Sequence, residues 1–148
     1  MSALLQVEDL NVEFRTREGV AQVLNGVSFH VEAGETLAIL GESGSGKSVT
    51  AQAIMGILDS PPAVVRSGRI LFEGRDLLAL PTEERRAVRG EGIAMVFQDS
   101  LSALNPVFPV GWQIGEALRL RKGMGKREAA QRAVALMERG RIPDAASR

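Results

Sequence analysis

Apolar and polar residues alternate along the first part of the chain. Between residues 4 and 14, apolar side chains recur at every second position, except for a change of phase at Glu8 and Asp9. Because successive side chains of a strand point to opposite faces, this pattern predicts a strand with a bulge or bend at the change of phase. A turn signal at residues 17–19 precedes the same alternation over residues 20–31. We therefore predict an antiparallel β layer in this part of the chain.

Two short segments are almost continuously apolar, which is typical of strands buried within a parallel sheet. They are residues 35–40 and residues 92–97. Three elements are predicted between them. The first is a helix over residues 49–58, which ends before the stop signal Asp59 to Pro62. A strand over residues 69–72 and a charged helix within residues 77–89 follow. This alternation of strands and helices predicts an α/β fold.

The remaining sequence predicts a loop and two helices. Residues 98–109 contain two prolines, Pro106 and Pro109, and form the loop, and residues 123–125 separate the helices. The predicted inward-facing residues are Val110, Ile114, Ala117 and Leu118 on the first helix and Ala130, Ala133, Val134 and Met137 on the second. Neither an internal repeat nor a low-complexity segment interrupts this order of elements.

Composition excludes several classes of function. The 148 residues carry equal numbers of basic and acidic side chains, so a formal net charge of zero gives no electrostatic support for binding nucleic acid. The absence of cysteine removes disulfides, thiolate metal ligands and thiol nucleophiles together. Neither a signal-peptide pattern nor an apolar run long enough to span a bilayer is present. We expect a soluble protein on the cytoplasmic side of the membrane.

One glycine-rich stretch carries more chemical information than any other. Residues 41–48 have the spacing G-x-x-x-x-G-K-S, which is the phosphate-binding loop of nucleotide triphosphatases. The stretch lies between a predicted strand and a predicted helix, which is the context that this motif requires. The alternative is a Gly/Ser-rich turn that contains Lys-Ser by chance, and the matching flanks argue against it.

Each residue type in the loop has a mechanical role. Glycines at 41, 44 and 46 let the backbone bend so that successive N–H groups form a nest for anionic oxygens. Lys47 supplies a mobile positive charge for the β- and γ-phosphates, and the Ser48 hydroxyl is the expected ligand of Mg²⁺. The predicted nucleotide-binding residues of this loop are Gly41, Glu42, Ser43, Gly44, Ser45, Gly46, Lys47, Ser48 and Val49.

A second candidate site begins at Gln98, at the end of a predicted strand, where α/β sheets bind ligands. An isolated loop glutamine is usually only solvated, but this one has informative neighbours. Val96-Phe-Gln-Asp99, followed by Ser102-Ala-Leu-Asn-Pro106, resembles the Q-loop of ATP-binding-cassette (ABC) transporter ATPases. Residues 41–50 are similar to the Walker A motif of the same proteins.

The resemblance is strongest to the ABC subgroup that imports dipeptides, oligopeptides and nickel, including relatives that import microcin-type peptides. It extends from about residue 4 to residue 148 and is carried, besides Walker A, by residues 33–37, 67–72, 89–98 and 102–106. The implied fold is α/β, with a RecA-like P-loop NTPase core, an N-terminal antiparallel β layer and the start of a helical subdomain. Residues 1–148 are then the N-terminal part of an ABC ATPase domain, divided into 1–34, 35–106 and 107–148.

The resemblance also implies a function. The family hydrolyses ATP to drive solute transport, so ATP and Mg²⁺ are the implied cofactors, with Ser48 and Gln98 at the metal and Gln98 as the catalytic residue. The implied partners are transmembrane permease subunits, which would contact loop 98–109, and a second ATP-binding subunit. The protein would lie peripherally on the cytoplasmic face of the cell membrane.

An aromatic side chain in the β layer of this family stacks on adenine, and Phe14 is the candidate here. The family usually has tyrosine or tryptophan at that position, and this chain has no tyrosine. A role for Phe14 in the hydrophobic core is equally compatible with the sequence. Residues 20–23 are candidates to share the adenine contact.

The sequence also departs from the family pattern. Neither a signature motif nor a Walker B strand with its catalytic glutamate is found, and His30 precedes Walker A, where it cannot be the switch histidine. We interpret the chain as an ABC ATPase truncated before the signature motif. The missing Walker B strand should leave apolar edges exposed at residues 35–40 or 92–97 and make the isolated chain unstable.

Three functions follow from these observations. The first is the ATP-binding subunit of an ABC importer of peptides or similar small solutes. The second is a non-catalytic nucleotide-binding fragment without turnover. The third, another P-loop enzyme such as a small-molecule kinase, is disfavoured by the Q-loop and by the lack of a lid or second substrate motif.

Overall fold

The computed structural model describes residues 3–99 and 103–148. The described residues form two compact units, one ending at Met95 and the other beginning at Val96. Each unit has its own buried side chains. The division of the chain at residues 34 and 106 stays a prediction.

The first unit contains an antiparallel sheet, as the alternating sequence predicts. Its strands are β1 (Leu5–Thr16), β2 (Gly19–Val31), β3 (Ala63–Phe72) and β4 (Arg75–Asp76), in the order β2-β1-β3-β4. The predicted irregularity in β1 is present, because the pairing with β2 shifts register between Val7 and Leu10, and Asp9 has a positive φ of 43°. The strand predicted over residues 69–72 is the end of the longer β3.

Two helices of this unit match the predicted ones in position but not in every boundary. They are α1 (Lys47–Met55) and α2 (Thr82–Val88). The prediction that α1 continues to residue 58 is wrong, because the helix ends at Met55. Gly56 adopts a left-handed conformation with φ of 64°, and the N–H of Ile57 bonds to the Gln52 carbonyl at 3.0 Å. This glycine cap satisfies the last carbonyls and ends the helix early.

The core of the first unit joins its sheet to α1. Seven side chains are almost fully buried and in mutual contact: Val7, Leu10, Val12, Leu24, Ala53, Ile70 and Leu77. Three of them lie on β1, which pairs with a neighbour on both sides. Burial of Ala53 at this junction holds α1 against the sheet, and α1 follows directly from the predicted phosphate-binding loop.

The two strands predicted from continuous apolar runs are not formed. Residues 35–40 have no regular structure, and in residues 92–97 only Ile93 makes an isolated bridge, to Arg89. No strand of the described residues pairs with either run, so neither can satisfy its backbone as a central strand would. Leu40 is 91% exposed and Val96 92% exposed. The expectation of apolar side chains open to solvent at these two segments is confirmed.

The second unit is helical. It contains α3 (Val110–Lys122), α4 (Lys126–Arg139) and a short 3₁₀ turn at Ala145–Ser147. The buried residues are small except for one methionine: Gly115, Ala129, Ala133, Met137 and Ala145. The predicted stripes are wrong at two positions. Ala117 of α3 is exposed, and in α4 Ala129 rather than Ala130 is buried. Small residues let α3 and α4 approach closely.

Among the described helices, none has the length and apolar character needed to cross a bilayer.

The core of the first unit provides a stability test. Ile70 is fully buried on β3, whereas Val65 on the same strand is 37% exposed. Ile70→Ala should lower the free energy of unfolding by about 2–5 kcal/mol, because it removes transfer energy and leaves a cavity. Val65→Ala, the matched control, should cost less than half as much. Denaturant unfolding followed by far-UV circular dichroism measures both, and equal losses would contradict the assigned core.

Candidate functional site

The loop between residue 41 and α1 has the sharp bends that its glycines permit. Gly44 and Gly46 have positive φ angles of 83° and 91°, a region that side chains with a Cβ rarely adopt. Gly46 is also buried, and a Cβ there would lie 2.5 Å from Leu24 Cδ2 and 3.2 Å from the Val23 carbonyl oxygen. Gly46 is therefore required both by its backbone conformation and by its contact with the sheet.

Several N–H groups of this loop are available to a ligand. The Ser45 N–H bonds to the Glu42 carbonyl at 3.2 Å and closes a turn. Within residues 3–99 and 103–148, no acceptor is present for the N–H groups of Gly44, Gly46, Lys47, Ser48 and Val49. The last three belong to the first turn of α1, which carries the positive end of the helix dipole. Unpaired amides grouped in this way are the kind of donor set that binds anions in proteins.

The Lys47 ammonium lies against the loop itself. Its Nζ donates hydrogen bonds to the carbonyl oxygens of Gly41 at 2.6 Å and Glu42 at 2.7 Å, and to Ser45 Oγ at 3.1 Å. A Cβ at position 41 would approach Ser45 Oγ to 2.5 Å, so glycine is needed at the first position of the motif as well. The positive charge and the free amides are thus held in one short segment.

The donor set suits a phosphate and its metal ion. The Ser48 hydroxyl is exposed and makes no hydrogen bond within the part of the chain that the structure describes, so it is available to a cation. Thr50, two residues later, is buried, and its Oγ1 donates to the Gly46 carbonyl at 2.9 Å. The Ser48 hydroxyl therefore faces solvent beside the loop, while the Thr50 hydroxyl stabilises the first turn of α1.

The adenine-stacking candidate, Phe14, is partly exposed and partly packed against the core. Phe14 lies near the end of β1, between Ala21 of β2 and Ala63 of β3, and its half-buried ring packs against the core of the first unit. This packing supports the core interpretation that the sequence left open. In β2, Val20 is 64% exposed and Val23 half-buried. Stacking on adenine by Phe14 stays a prediction.

The predicted catalytic glutamine lies near the start of the second unit. Gln98 is exposed, in a bend that follows the apolar run 92–97. The structure places it in a different compact unit from the phosphate-binding loop. Residues 100–102, including Ser102 of the Q-loop resemblance, lie outside the described residues. The catalytic and metal-binding roles of Gln98 stay predictions.

Comparison with known proteins decides the family. Residues 24–148 match the family model described as ABC transporter. The chain belongs to the ABC transporter family. This result confirms the resemblance that the Walker A and Q-loop sequences indicated.

Similar proteins of the ABC family are named as ATP-binding proteins of peptide transport. The chain is 50% identical over 143 residues to the oligopeptide transport ATP-binding protein OppD of Bacillus subtilis, covering 97% of this chain and 40% of OppD. It is 47% identical over 148 residues to the dipeptide transport ATP-binding protein DppD of the same organism, covering 100% of this chain and 44% of DppD. The chain thus spans less than half the length of these relatives.

Solved ABC structures confirm the fold class. The dimeric structure of MJ0796, a bacterial ABC transporter cassette, matches with a TM-score of 0.74 and 24% identity, over 90% of this chain and 56% of that one. The dimeric post-hydrolysis state of MJ0796 bound to ADP and Pi matches with a TM-score of 0.72 and 23% identity, over the same fractions. The likeness confirms the predicted α/β P-loop fold.

One well-connected residue of this ABC chain was missed by the sequence interpretation. The Gln113 side-chain amide donates to the carbonyl oxygens of Asn105 at 2.9 Å and Phe108 at 2.8 Å, and its Oε1 accepts from the Asn105 N–H at 2.9 Å. The side chain therefore fixes the segment before α3. The only sequence signal for these hydrogen bonds is a glutamine eight positions after Asn105. That spacing alone does not predict a contact between the two residues.

An aromatic pair follows from this arrangement. The rings of Phe108 and Trp112 stack with centroids 4.6 Å apart and an interplanar angle of 21°. The neighbouring Leu104 and Val107 are 48% and 78% exposed. We name residues 104–108 with Trp112 the aromatic loop. It is largely apolar and exposed, and three hydrogen bonds connect it to Gln113, which favours a contact surface.

Two glycines of Walker A provide a matched test of the loop. Both Gly44 and Gly46 are left-handed, but a Cβ at position 44 would meet nothing within 4 Å. Gly44→Ala should therefore cost about 1–2 kcal/mol of unfolding free energy from backbone strain alone. Gly46→Ala should cost about 1–3 kcal/mol more, because it also clashes with Leu24. Urea titration of both variants checks the difference, and equal costs would argue against this loop geometry.

The Gln113 side chain makes a second testable contribution. Gln113→Ala removes the acceptor of the Asn105 N–H, so hydrogen exchange of that amide should accelerate by about tenfold or more. Trp112 is the single tryptophan of the chain, and its fluorescence should report loss of the stack on Phe108. Gln131→Ala, at an exposed position of α4, is the control. Unchanged exchange at Asn105 would show that the aromatic loop does not depend on Gln113.

Proposed function

We propose that this chain is the ATP-binding part of an ABC importer of peptides or similar small solutes, with the phosphates of Mg·ATP held at residues 41–49. The observation that carries this proposal is the Lys47 ammonium, held by three acceptors of a loop whose neighbouring N–H groups have no acceptor among the described residues. Positive charge and free donors in one segment favour a polyanion over a neutral ligand. The transport names of OppD and DppD support the choice of solute.

In the proposed site, different loop residues bind different parts of Mg·ATP. Lys47 can exchange one of its acceptors for a phosphate oxygen and still remain beside the loop. The amides of the first turn of α1 donate to the other phosphate oxygens, and the exposed Ser48 hydroxyl would hold Mg²⁺. When bound, Mg·ATP supplies the phosphoanhydride whose hydrolysis drives transport in this family.

Phe14 and Gln98 complete the proposed site. The exposed part of the Phe14 ring stacks on the adenine, with Val20 and Val23 beside it on β2. Gln98 orients the attacking water or contacts Mg²⁺ through its amide oxygen. Orientation of water and stabilisation of the γ-phosphate charge supply most of the catalysis in phosphoryl transfer.

Partners are proposed from the exposed surfaces. Loop 98–109 contains most of the aromatic loop, so the permease subunits would contact the exposed Phe108 and Trp112 side chains, which Gln113 holds in place. A second ATP-binding subunit is proposed because MJ0796 was solved as a dimer. Such partners place the protein peripherally at the cytoplasmic face of the membrane.

Removal of the Lys47 charge tests the nucleotide site. Lys47→Ala should weaken the binding of a fluorescent ATP analogue in Mg²⁺ by about 10- to 100-fold, because it removes charged hydrogen bonds to phosphate. Lys122→Ala, at the exposed end of α3, should leave the affinity unchanged. Equal affinity of the Lys47→Ala variant and the unaltered chain would refute the proposed site.

The same preparation separates turnover from binding alone. Phosphate release by the monodisperse chain, absent in the Lys47→Ala variant, would support an ATPase. Tight binding of the analogue without phosphate release would favour the alternative, a non-catalytic nucleotide-binding fragment. Transfer of phosphate to a small acceptor would instead indicate a kinase.

A further inference from the structure

An arginine from α2 reaches the end of the helix that begins at Walker A. Arg85 Nη2 donates a hydrogen bond of 3.2 Å to the Ala53 carbonyl oxygen, in the last turn of α1. The two residues are 32 positions apart in sequence, so the contact joins separate elements of the first unit. The carbonyls at a helix C-terminus carry its partial negative charge, and a cation placed there is favourable.

The cap of α1 is shaped to accept this side chain. Gly56 is the left-handed cap, and a Cβ there would collide with the Arg85 guanidinium group. Glycine at position 56 is favoured by its left-handed backbone conformation, and a Cβ there would displace Arg85 from its present position. The guanidinium fills the space beside the glycine and lies directly against the end of the helix.

This position is electrostatically costly for Arg85. Burial lowers the pKa of its guanidinium, the nearby Arg89 lowers that pKa further, and Asp76 opposes the shift. The buried Nε of Arg85 has no acceptor within residues 3–99 and 103–148. Stability alone does not explain a half-buried cation with an unsatisfied donor, because an apolar residue would fill the same space without that cost.

We propose that Arg85 is a positioning residue for the phosphate-binding loop, because it fixes the C-terminal end of α1 and so holds the amides at the N-terminal end. The helix has only nine residues, so a shift at Ala53 is transmitted to Lys47 and Ser48. The N-terminal end is anchored separately, through Thr50 and Gly46. This inference rests on the proposed function of the loop.

The variants separate positioning from stability. Arg85→Ala removes both charge and hydrogen bond, whereas Arg85→Lys keeps a cation and a donor for Ala53. Arg86→Ala is the matched control, since Arg86 is the next residue of α2, is exposed, and pairs with Glu83 at 3.0 Å. If Arg85→Ala does not fold, Arg85→Gln retains a donor and most of the side-chain volume.

Two measurements are made on the nucleotide-binding chain at a temperature where each variant is folded. The affinity for a fluorescent ATP analogue should fall by about three- to tenfold in Arg85→Ala, recover to within about twofold in Arg85→Lys, and stay unchanged in Arg86→Ala. Without nucleotide, hydrogen exchange of the Thr50 amide, which bonds to the Gly46 carbonyl at 2.8 Å, should accelerate in Arg85→Ala only.

The outcomes distinguish this inference from the proposed function. A lower unfolding midpoint in Arg85→Ala with unchanged affinity and unchanged Thr50 exchange would reduce Arg85 to a structural residue and overturn the inference. Equal loss of affinity in Arg85→Lys and Arg85→Ala would overturn it as well. If the unaltered chain binds no ATP analogue, the proposed function fails, and the Thr50 exchange still decides whether Arg85 holds α1.

Discussion

The close approach of Gly46 to Leu24 is the contact on which the first unit and its loop both depend. Leu24 belongs to the buried core, and Gly46 lies against it without a Cβ to separate them. The Gly46 carbonyl accepts from both the backbone N–H and the hydroxyl of Thr50. The first turn of α1 is therefore fixed to the sheet, and the direction of its free amides follows from packing rather than from ligand binding.

Local patterns predicted much of this arrangement. Alternation gave the paired strands and the irregularity near Asp9, and the motif spacing located the start of α1. The parallel strands predicted at residues 35–40 and 92–97 are not formed in the described part of the chain, because pairing needs partners that are distant in sequence and apolar composition alone does not supply them. Most of the site residues come from one contiguous motif, which is why sequence could propose them.

The contacts that sequence did not reveal are between elements. The Arg85 side chain and the Ala53 carbonyl belong to different helices, and no composition or spacing rule connects them. Gln113 is similar, since a helical glutamine is ordinarily solvated and only the folded loop provides its three partners. In both units, a polar side chain hydrogen-bonds to the backbone of another segment, and the pattern of apolar residues does not indicate either contact.

The central place of β1 has a consequence for biosynthesis. Its pairing with β2 involves neighbours in sequence, but its other edge is covered by β3, which ends at Phe72. The nascent sheet therefore keeps one open edge until more than half of the first unit has left the ribosome. During that interval the amides of β1 facing β3 remain available to other strands, and rapid translation of residues 32–62 shortens the exposure.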